Sequence, residues 1–125
     1  MTRILIVDDD PDIAEAARLV LEREGYEVES ATNRHDGMEA LVESPPDLLI
    51  LDVMMEEPDD GLRMARDIRK GGNTVPIMML TSINATMGLT VDKDDEMVPV
   101  DEFQSKPIDP RVLVAAVKTL LEKRG

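Results

Sequence analysis

The chain has 125 residues, of which 42% are hydrophobic, and its 27 acidic and 14 basic residues give a net charge of −13 at pH 7. This length predicts one domain over residues 1–125 with a buried core and no output domain. The charge argues against binding to a phosphate backbone, so no nucleic-acid partner is expected. The absence of cysteine excludes disulfides, thiolate nucleophiles and zinc–thiolate sites. Without a secretory segment or an apolar run of about 18 residues, the default expectation is a cytoplasmic protein that does not contact membranes.

The first half of the chain alternates between strands and helices. Ile4–Val7 is continuously apolar and Tyr26–Ala31 alternates, which predicts two strands, the second near a sheet edge. Asp10-Pro11 predicts the capped start of one helix, and Gly25 predicts the end of that helix. Asn33 or Thr32 is expected to cap a second helix. The residues expected to face the core lie three or four apart: Ile13, Ala16, Ala17, Val20 and Leu21 in the first helix, and Met38, Leu41 and Val42 in the second.

The second half continues the alternation with one weak stretch. Leu48–Asp52 and Val75–Leu80 predict strands buried on both faces, and Asp109-Pro110 predicts the start of a last helix. Between Ser82 and Val100 the pattern degrades, so the fourth helix is expected to be short or irregular, and Phe103 lies in a short last strand. The helix between the two buried strands is expected to place Leu62, Ala65 and Ile68 in the core. The expected core residues of the last helix are Val112, Leu113, Ala116, Val117, Leu120 and Leu121.

This alternation predicts a flavodoxin-like, doubly wound α/β sandwich of three layers, with a five-stranded parallel sheet of order 2-1-3-4-5. Because the carboxyl ends of parallel strands meet at one edge, Asp8, Asp9 and Asp52 are expected to meet there, with Thr81 and Lys106 arriving at the same edge. Three adjacent carboxylates repel one another by roughly several kcal/mol unless they are protonated or bind a cation. Oxygen-only ligands favour a hard ion, and Mg²⁺ fits best.

Four motifs carry a resemblance to a known family. They are ILIVDDDP (Ile4–Pro11), LLILD (Leu48–Asp52), MLTS (Met79–Ser82) and SKP (Ser105–Pro107). In this order they resemble the marks of the two-component response-regulator receiver domain, in a stand-alone, chemotaxis-receiver-like form. The resemblance covers nearly the whole chain. It implies that Asp52 accepts a phosphoryl group from a sensor histidine kinase or a histidine phosphotransfer protein.

The resemblance also implies a metal site and a switch. Thr81 and Lys106 would donate to the phosphoryl oxygens, and Asp8 would help to hold the metal through water. Phe103 would rotate inward as Thr81 moves, unless its ring only fills the core. The implied Mg²⁺ ligands are Asp8, Asp9, Asp52 and the backbone carbonyl of Met54.

The implied protein catalyses only its own phosphorylation and dephosphorylation. It would be a monomer or weak dimer that acts on an unidentified downstream protein through a surface change, or relays the phosphate. Met54 and Ile83 are apolar where a polar side chain could orient water, which predicts a long-lived phosphoryl group. His35 is expected to be a solvated surface residue.

Three other functions compete with this interpretation. A receiver-like binding module that works without phosphorylation is the nearest alternative. An aspartate-nucleophile phosphatase would need a second carboxylate at position 54, where Met54 stands. A flavodoxin-type cofactor carrier would need a phosphate-binding loop in place of Asp8-Asp9-Asp10, whose charges would repel phosphate.

Overall fold

The computed structural model describes residues 2–52, 60–82, 101–106 and 109–124. Five parallel strands form one sheet in the order β2-β1-β3-β4-β5, which confirms the predicted fold class and strand order. The strands are β1 (Arg3–Val7), β2 (Glu27–Ala31), β3 (Leu48–Asp52), β4 (Ile77–Ser82) and β5 (Glu102–Lys106). The helices are α1 (Pro11–Arg23), α2 (Arg34–Glu43), α3 (Asp60–Lys70) and the C-terminal helix α4 (Pro110–Arg124). The short or irregular helix predicted before β5 falls within residues 83–100, outside the described residues.

Side-chain caps start the helices where the sequence predicts them. The Asp10 carboxylate accepts the backbone N–H groups of Asp12 at 3.0 Å and Ile13 at 3.4 Å, which satisfies donors that have no partner within α1. Asn33, rather than Thr32, caps α2, and its Oδ1 accepts the Asp36 N–H at 2.7 Å. After α1, Gly25 has a φ of 92°, a left-handed conformation that costs glycine little. These local signals explain why the predicted helix boundaries are close to the observed ones.

Among the described residues, two hydrophobic clusters lie on opposite faces of the sheet, because successive residues of a strand point to opposite sides. One cluster joins the sheet to α2 and α3, and the other joins it to α1 and α4. All five residues of β3 are buried, as expected for the central strand. Central members of the first cluster are Leu5, Leu49, Leu51, Met64 and Ile68, and those of the second are Ile4, Ile50, Leu21, Val117 and Leu120.

Three helix residues predicted to face the core are exposed instead. In α1 the buried line runs through Ala14 and Ala17, and Ala16 is exposed. Val42 in α2 is 75% exposed and Val112 in α4 is 46% exposed. Each of these residues lies about 100° around the helix from a buried neighbour in the sequence, so it falls beside the narrow stripe that the sheet covers.

In α2 the sheet contact depends on a glycine, which a hydrophobic pattern does not reveal. A Cβ atom on Gly37 would lie 2.8 Å from Val7 Cγ2 and 3.1 Å from Met64 Cε. The side of α2 that carries Gly37 and buried Leu41, four residues apart, therefore rests directly on the sheet. Val42 lies off this side.

The start of β4 differs from the prediction. The strand begins at Ile77 rather than Val75 because the loop before it uses the polar groups of Val75. The Val75 N–H donates to Asn73 Oδ1 at 2.9 Å, and its carbonyl accepts from Arg69 Nη1 at 2.7 Å. Pro76 has no N–H to offer, although its carbonyl accepts the Leu49 N–H at 2.9 Å.

β2 ends the sheet on one side and carries charge. Arg3 of β1 forms ion pairs with Glu27 at 3.3 Å and with Glu29 at 3.1 Å. Both glutamate side chains remain about half exposed. Within the described part of the chain, no helix has the length and apolar character needed to cross a membrane.

Candidate functional site

The register of β1 and β3 brings their carboxyl ends together. Val7 pairs with Leu51, so the residues that follow, Asp8 and Asp52, lie side by side at the same edge of the sheet. The Asp8 N–H donates to the Ala31 carbonyl of β2 at 3.0 Å, which extends the sheet by one residue and fixes the Asp8 backbone. Asp52 is the last residue of β3 and pairs with Leu80 of β4. Backbone pairing therefore holds each aspartate on one side, Asp8 to β2 and Asp52 to β4.

Asp8, Asp9 and Asp52 form one carboxylate cluster. Each contributes an oxygen, and these oxygens all lie within 4.8 Å of one another. Asp8 is fully buried and Asp52 is 4% exposed, whereas Asp9 is exposed. The Asp8 Oδ1 atom accepts the Asp10 N–H at 2.9 Å, which orients this carboxylate within the turn. The cluster is thus buried on one side and open to solvent at Asp9.

The chemistry and the spacing of this cluster fit a hard divalent cation. Oxygen-only ligands select Mg²⁺, Ca²⁺ or Mn²⁺ over metals that prefer imidazole or thiolate. At Mg–O distances of about 2.1 Å, two ligand oxygens lie about 3 Å apart when adjacent and about 4.2 Å apart when opposite. The three carboxylate oxygens here lie within 4.8 Å of one another, a comparable spacing. A cation would also offset the mutual repulsion of the three negative charges. The predicted ligand Met54 lies outside the described residues.

The remaining predicted site residues come from β4 and β5. Thr81 pairs with Ser105, and Lys106 pairs with Ser82, so the backbones of Thr81 and Lys106 end at the same edge as the carboxylate cluster. Phe103 is the second residue of β5 and pairs with Met79. The roles of the Thr81, Lys106 and Phe103 side chains stay predictions, and Ile83 lies outside the described residues.

His35 lies on the surface, which confirms its predicted place. Its side chain is 85% exposed, and Nε2 is 3.6 Å from Glu39 Oε2. With Asp36 these residues form a second group of possible metal ligands, but all three are exposed, so water competes for each of them. This group lacks the burial that distinguishes the Asp8, Asp9 and Asp52 cluster.

Two aspartates at the opposite edge of the sheet were not anticipated from the sequence. Asp47 precedes β3 and forms two hydrogen bonds with Arg3 of β1: its N–H donates to the Arg3 carbonyl at 2.7 Å, and its Oδ2 accepts the Arg3 N–H at 2.8 Å. Asp101 precedes β5 and does the same with Ile77 of β4, at 2.9 and 2.8 Å. We call these the Asp47–Arg3 pair and the Asp101–Ile77 pair. Their shared sequence signal is an aspartate immediately before a strand.

The sequence profile of the response regulator receiver domain matches residues 4–118. The chain belongs to this family. A solved receiver domain protein (CheY-like) from Methanospirillum hungatei superposes with a TM-score of 0.82 at 28% identity and covers 100% of this chain and 99% of that one. The carboxylate cluster therefore lies in a receiver domain.

Curated relatives of this receiver domain are longer proteins. The transcriptional regulatory protein CseB of Streptomyces avermitilis is 38% identical over 99% of this chain but only 51% of its own length. The DNA-binding dual master transcriptional regulator RpaA of Synechocystis is 33% identical over 98% of this chain and 50% of its own length. The chain thus spans about half the length of these relatives, so the prediction of a stand-alone receiver without nucleic-acid binding gains no support from them.

Proposed function

We propose that this receiver domain accepts a phosphoryl group on Asp52 from a phosphohistidine of a sensor kinase or a phosphotransfer protein. The observation that carries the proposal is the cluster of Asp8, Asp9 and Asp52 at the carboxyl edge of the sheet. Asp52 is the member at the end of the central strand, where its backbone is held on one side by the pairing with Leu80. A nucleophile on such a rigid element can be positioned accurately against a phosphorus atom.

In this reaction a carboxylate oxygen of Asp52 attacks phosphorus and forms a new P–O bond, while the P–N bond to the histidine breaks. The bond electrons return to the imidazole nitrogen, and the product on Asp52 is an acyl phosphate. Asp8 and Asp9, with Asp52 and the Met54 carbonyl, would hold Mg²⁺, which offsets the negative charge on the transferring group. Thr81 and Lys106, which reach the same edge, would donate to the phosphoryl oxygens.

The consequence of phosphorylation would be a shift between two conformations. The added oxygens at Asp52 favour a state in which Thr81 and Lys106 close on them, with Phe103 following. We propose that this change acts in the cytoplasm on a downstream protein. The net charge of −13 disfavours direct DNA contact by these 125 residues. RpaA, a DNA-binding regulator, is about twice as long as this chain.

Treatment with acetyl phosphate and Mg²⁺, followed by intact-mass measurement, tests this proposal. We expect one added phosphoryl group in the wild type and none in Asp52→Ala or after chelation of the metal. Asp12→Asn removes an exposed aspartate of α1 outside the cluster and is the matched control, which should be modified like the wild type.

Modification that persists in Asp52→Ala would refute the assignment of the acceptor. A folded wild type that stays unmodified would favour the binding module that works without phosphorylation.

A further inference from the structure

The Asp101–Ile77 pair fixes the start of β5. Its two hydrogen bonds join Asp101 to Ile77, the first residue of β4. They lie directly before the first β4–β5 pair, Met78 with Glu102. Arg69 of α3 holds the same carboxylate, with Nη2 3.2 Å from Asp101 Oδ2. The Arg69 guanidinium also donates from Nη1 to the carbonyls of Asn73 and Val75, at 3.0 and 2.7 Å. Asp101 is therefore anchored to the end of α3 and to the loop before β4.

The start of β5 determines where Lys106 arrives. A strand advances about 3.3 Å per residue, and a shift by one residue also turns every side chain to the other face of the sheet. In the observed register Lys106 pairs with Ser82, at the edge that carries the carboxylate cluster. A change in the register of β5 at Asp101 would displace Lys106 by the same step, because the strand between them is continuous.

Asp47 has the same hydrogen-bond geometry, but it precedes a strand that is held differently. β3 pairs with β1 on one side and β4 on the other, and all five of its residues are buried. β5 is the last strand in the sheet order and pairs only with β4 among the described strands. Loss of the Asp47–Arg3 pair therefore leaves a second set of pairings to hold β3, whereas β5 has only its pairing with β4.

We propose that Asp101, held by Arg69, is a positioning residue for phosphoryl transfer: it sets the register of β5 and thereby the place of Lys106. This inference rests on the proposed function of Asp52. It assigns Asp101 no contact with the phosphoryl group, because the residue lies at the opposite end of β5 from Lys106.

The test compares phosphorylation rate with Mg²⁺ dependence in the full chain. Acetyl phosphate is the donor, and the Mg²⁺ concentration for half-maximal rate is measured for each variant. Because Asp8, Asp9 and Asp52 lie on β1 and β3, Asp101→Ala should lower the rate at saturating Mg²⁺ by roughly tenfold while leaving the half-saturating concentration unchanged. Asp101→Asn keeps an oxygen acceptor for the Ile77 N–H and should restore most of the rate.

Asp47→Ala is the matched control, since it removes the same two-hydrogen-bond pairing at the start of β3 and should keep the wild-type rate in the folded protein. If Asp101→Ala does not fold, Arg69→Met tests the same idea. This variant keeps the Asp101–Ile77 pair but removes the guanidinium that anchors Asp101. It should lower the phosphorylation rate by a smaller factor than Asp101→Ala does and leave the half-saturating Mg²⁺ concentration unchanged.

Three results would overturn the inference: a wild-type rate in folded Asp101→Ala and Arg69→Met, an equal loss of rate in Asp47→Ala, or a parallel change in rate and Mg²⁺ half-saturation. Failure of the proposed function is distinguishable, because the wild type itself would then remain unphosphorylated.

Discussion

Replacement of Gly37 by alanine tests how closely α2 rests on the sheet. The new Cβ atom would lie 2.8 Å from Val7 Cγ2, well inside the 3.4 Å at which ordinary van der Waals contact begins. Val7 is fully buried, and its backbone is paired with Ala31 on one side and Leu51 on the other, so it has little freedom to retreat. The methyl group of Met64, at 3.1 Å, ends a flexible side chain and can move.

Two opposing terms determine the expected change in stability. Alanine favours the helical state over glycine by about 1 kcal/mol. Overpacking of a close-packed core costs about 1–3 kcal/mol. Because the closest contact is with the immobile Val7, we expect the cost of overpacking to exceed the gain in helix propensity. Gly37→Ala should then be less stable than the wild type by about 1 kcal/mol, or about 4 °C in Tm for a domain of this size.

Urea unfolding and thermal melting measure this change, and Gly71→Ala is the matched control. A Cβ on Gly71 would lie 3.5 Å from the Ile68 carbonyl oxygen, an ordinary contact, so that variant should be neutral or slightly more stable. Val7 directly precedes Asp8, so Gly37→Ala should also weaken stabilisation by Mg²⁺. If Gly37→Ala gains stability as Gly71→Ala does, the inferred close packing of α2 is wrong.

Three further outcomes are expected. Mg²⁺ at about 100 times its Kd should stabilise the wild type by about 2.7 kcal/mol but stabilise Asp9→Asn much less in thermal melts, and equal shifts would contradict the proposed ligand set. The backbone N–H of Arg111, opposed in part by desolvation, lowers the pKa of the Asp109 carboxyl. The stability that this carboxylate contributes is therefore present above its ordinary pKa near 4 and lost as pH falls below it, so Asp109→Asn should flatten the fall in Tm between about pH 5 and pH 3. Finally, urea unfolding should show a loss of about 2–5 kcal/mol in Leu41→Ala but less than about 0.5 kcal/mol in Val42→Ala, and similar losses would place Val42 in the core.

The sequence predicts the fold well wherever local chemistry and long-range pattern agree. The continuously apolar run Leu48–Leu51 predicts a central strand, and all of β3 is buried. Asp10-Pro11 and Asp109-Pro110 combine a carboxylate acceptor with a residue that lacks an N–H, and both begin helices. Once alternation of strands and helices gives the strand order, the meeting of Asp8 with Asp52 follows from the geometry of parallel sheets.

Helix faces are harder to predict because the width of the covered stripe depends on the neighbouring element. An apolar pattern assigns Val42 to the core, but the contact of α2 with the sheet is made by Gly37, whose lack of a side chain carries no hydrophobic signal. Hydrogen bonds from aspartate side chains to strand backbones are equally hard to predict from the sequence. Asp47 and Asp101 look like ordinary loop acids until the strand register shows which N–H groups face them.

The charged border of β2 has a consequence for how copies of this domain meet. A bare strand edge is a template to which a strand from another molecule can add. Here Glu27 and Glu29 line that edge, and Arg3 neutralises them only in part. Two molecules that approached through β2 would bring rows of like charge together, so growth of an intermolecular sheet is disfavoured there, and most strongly at low ionic strength.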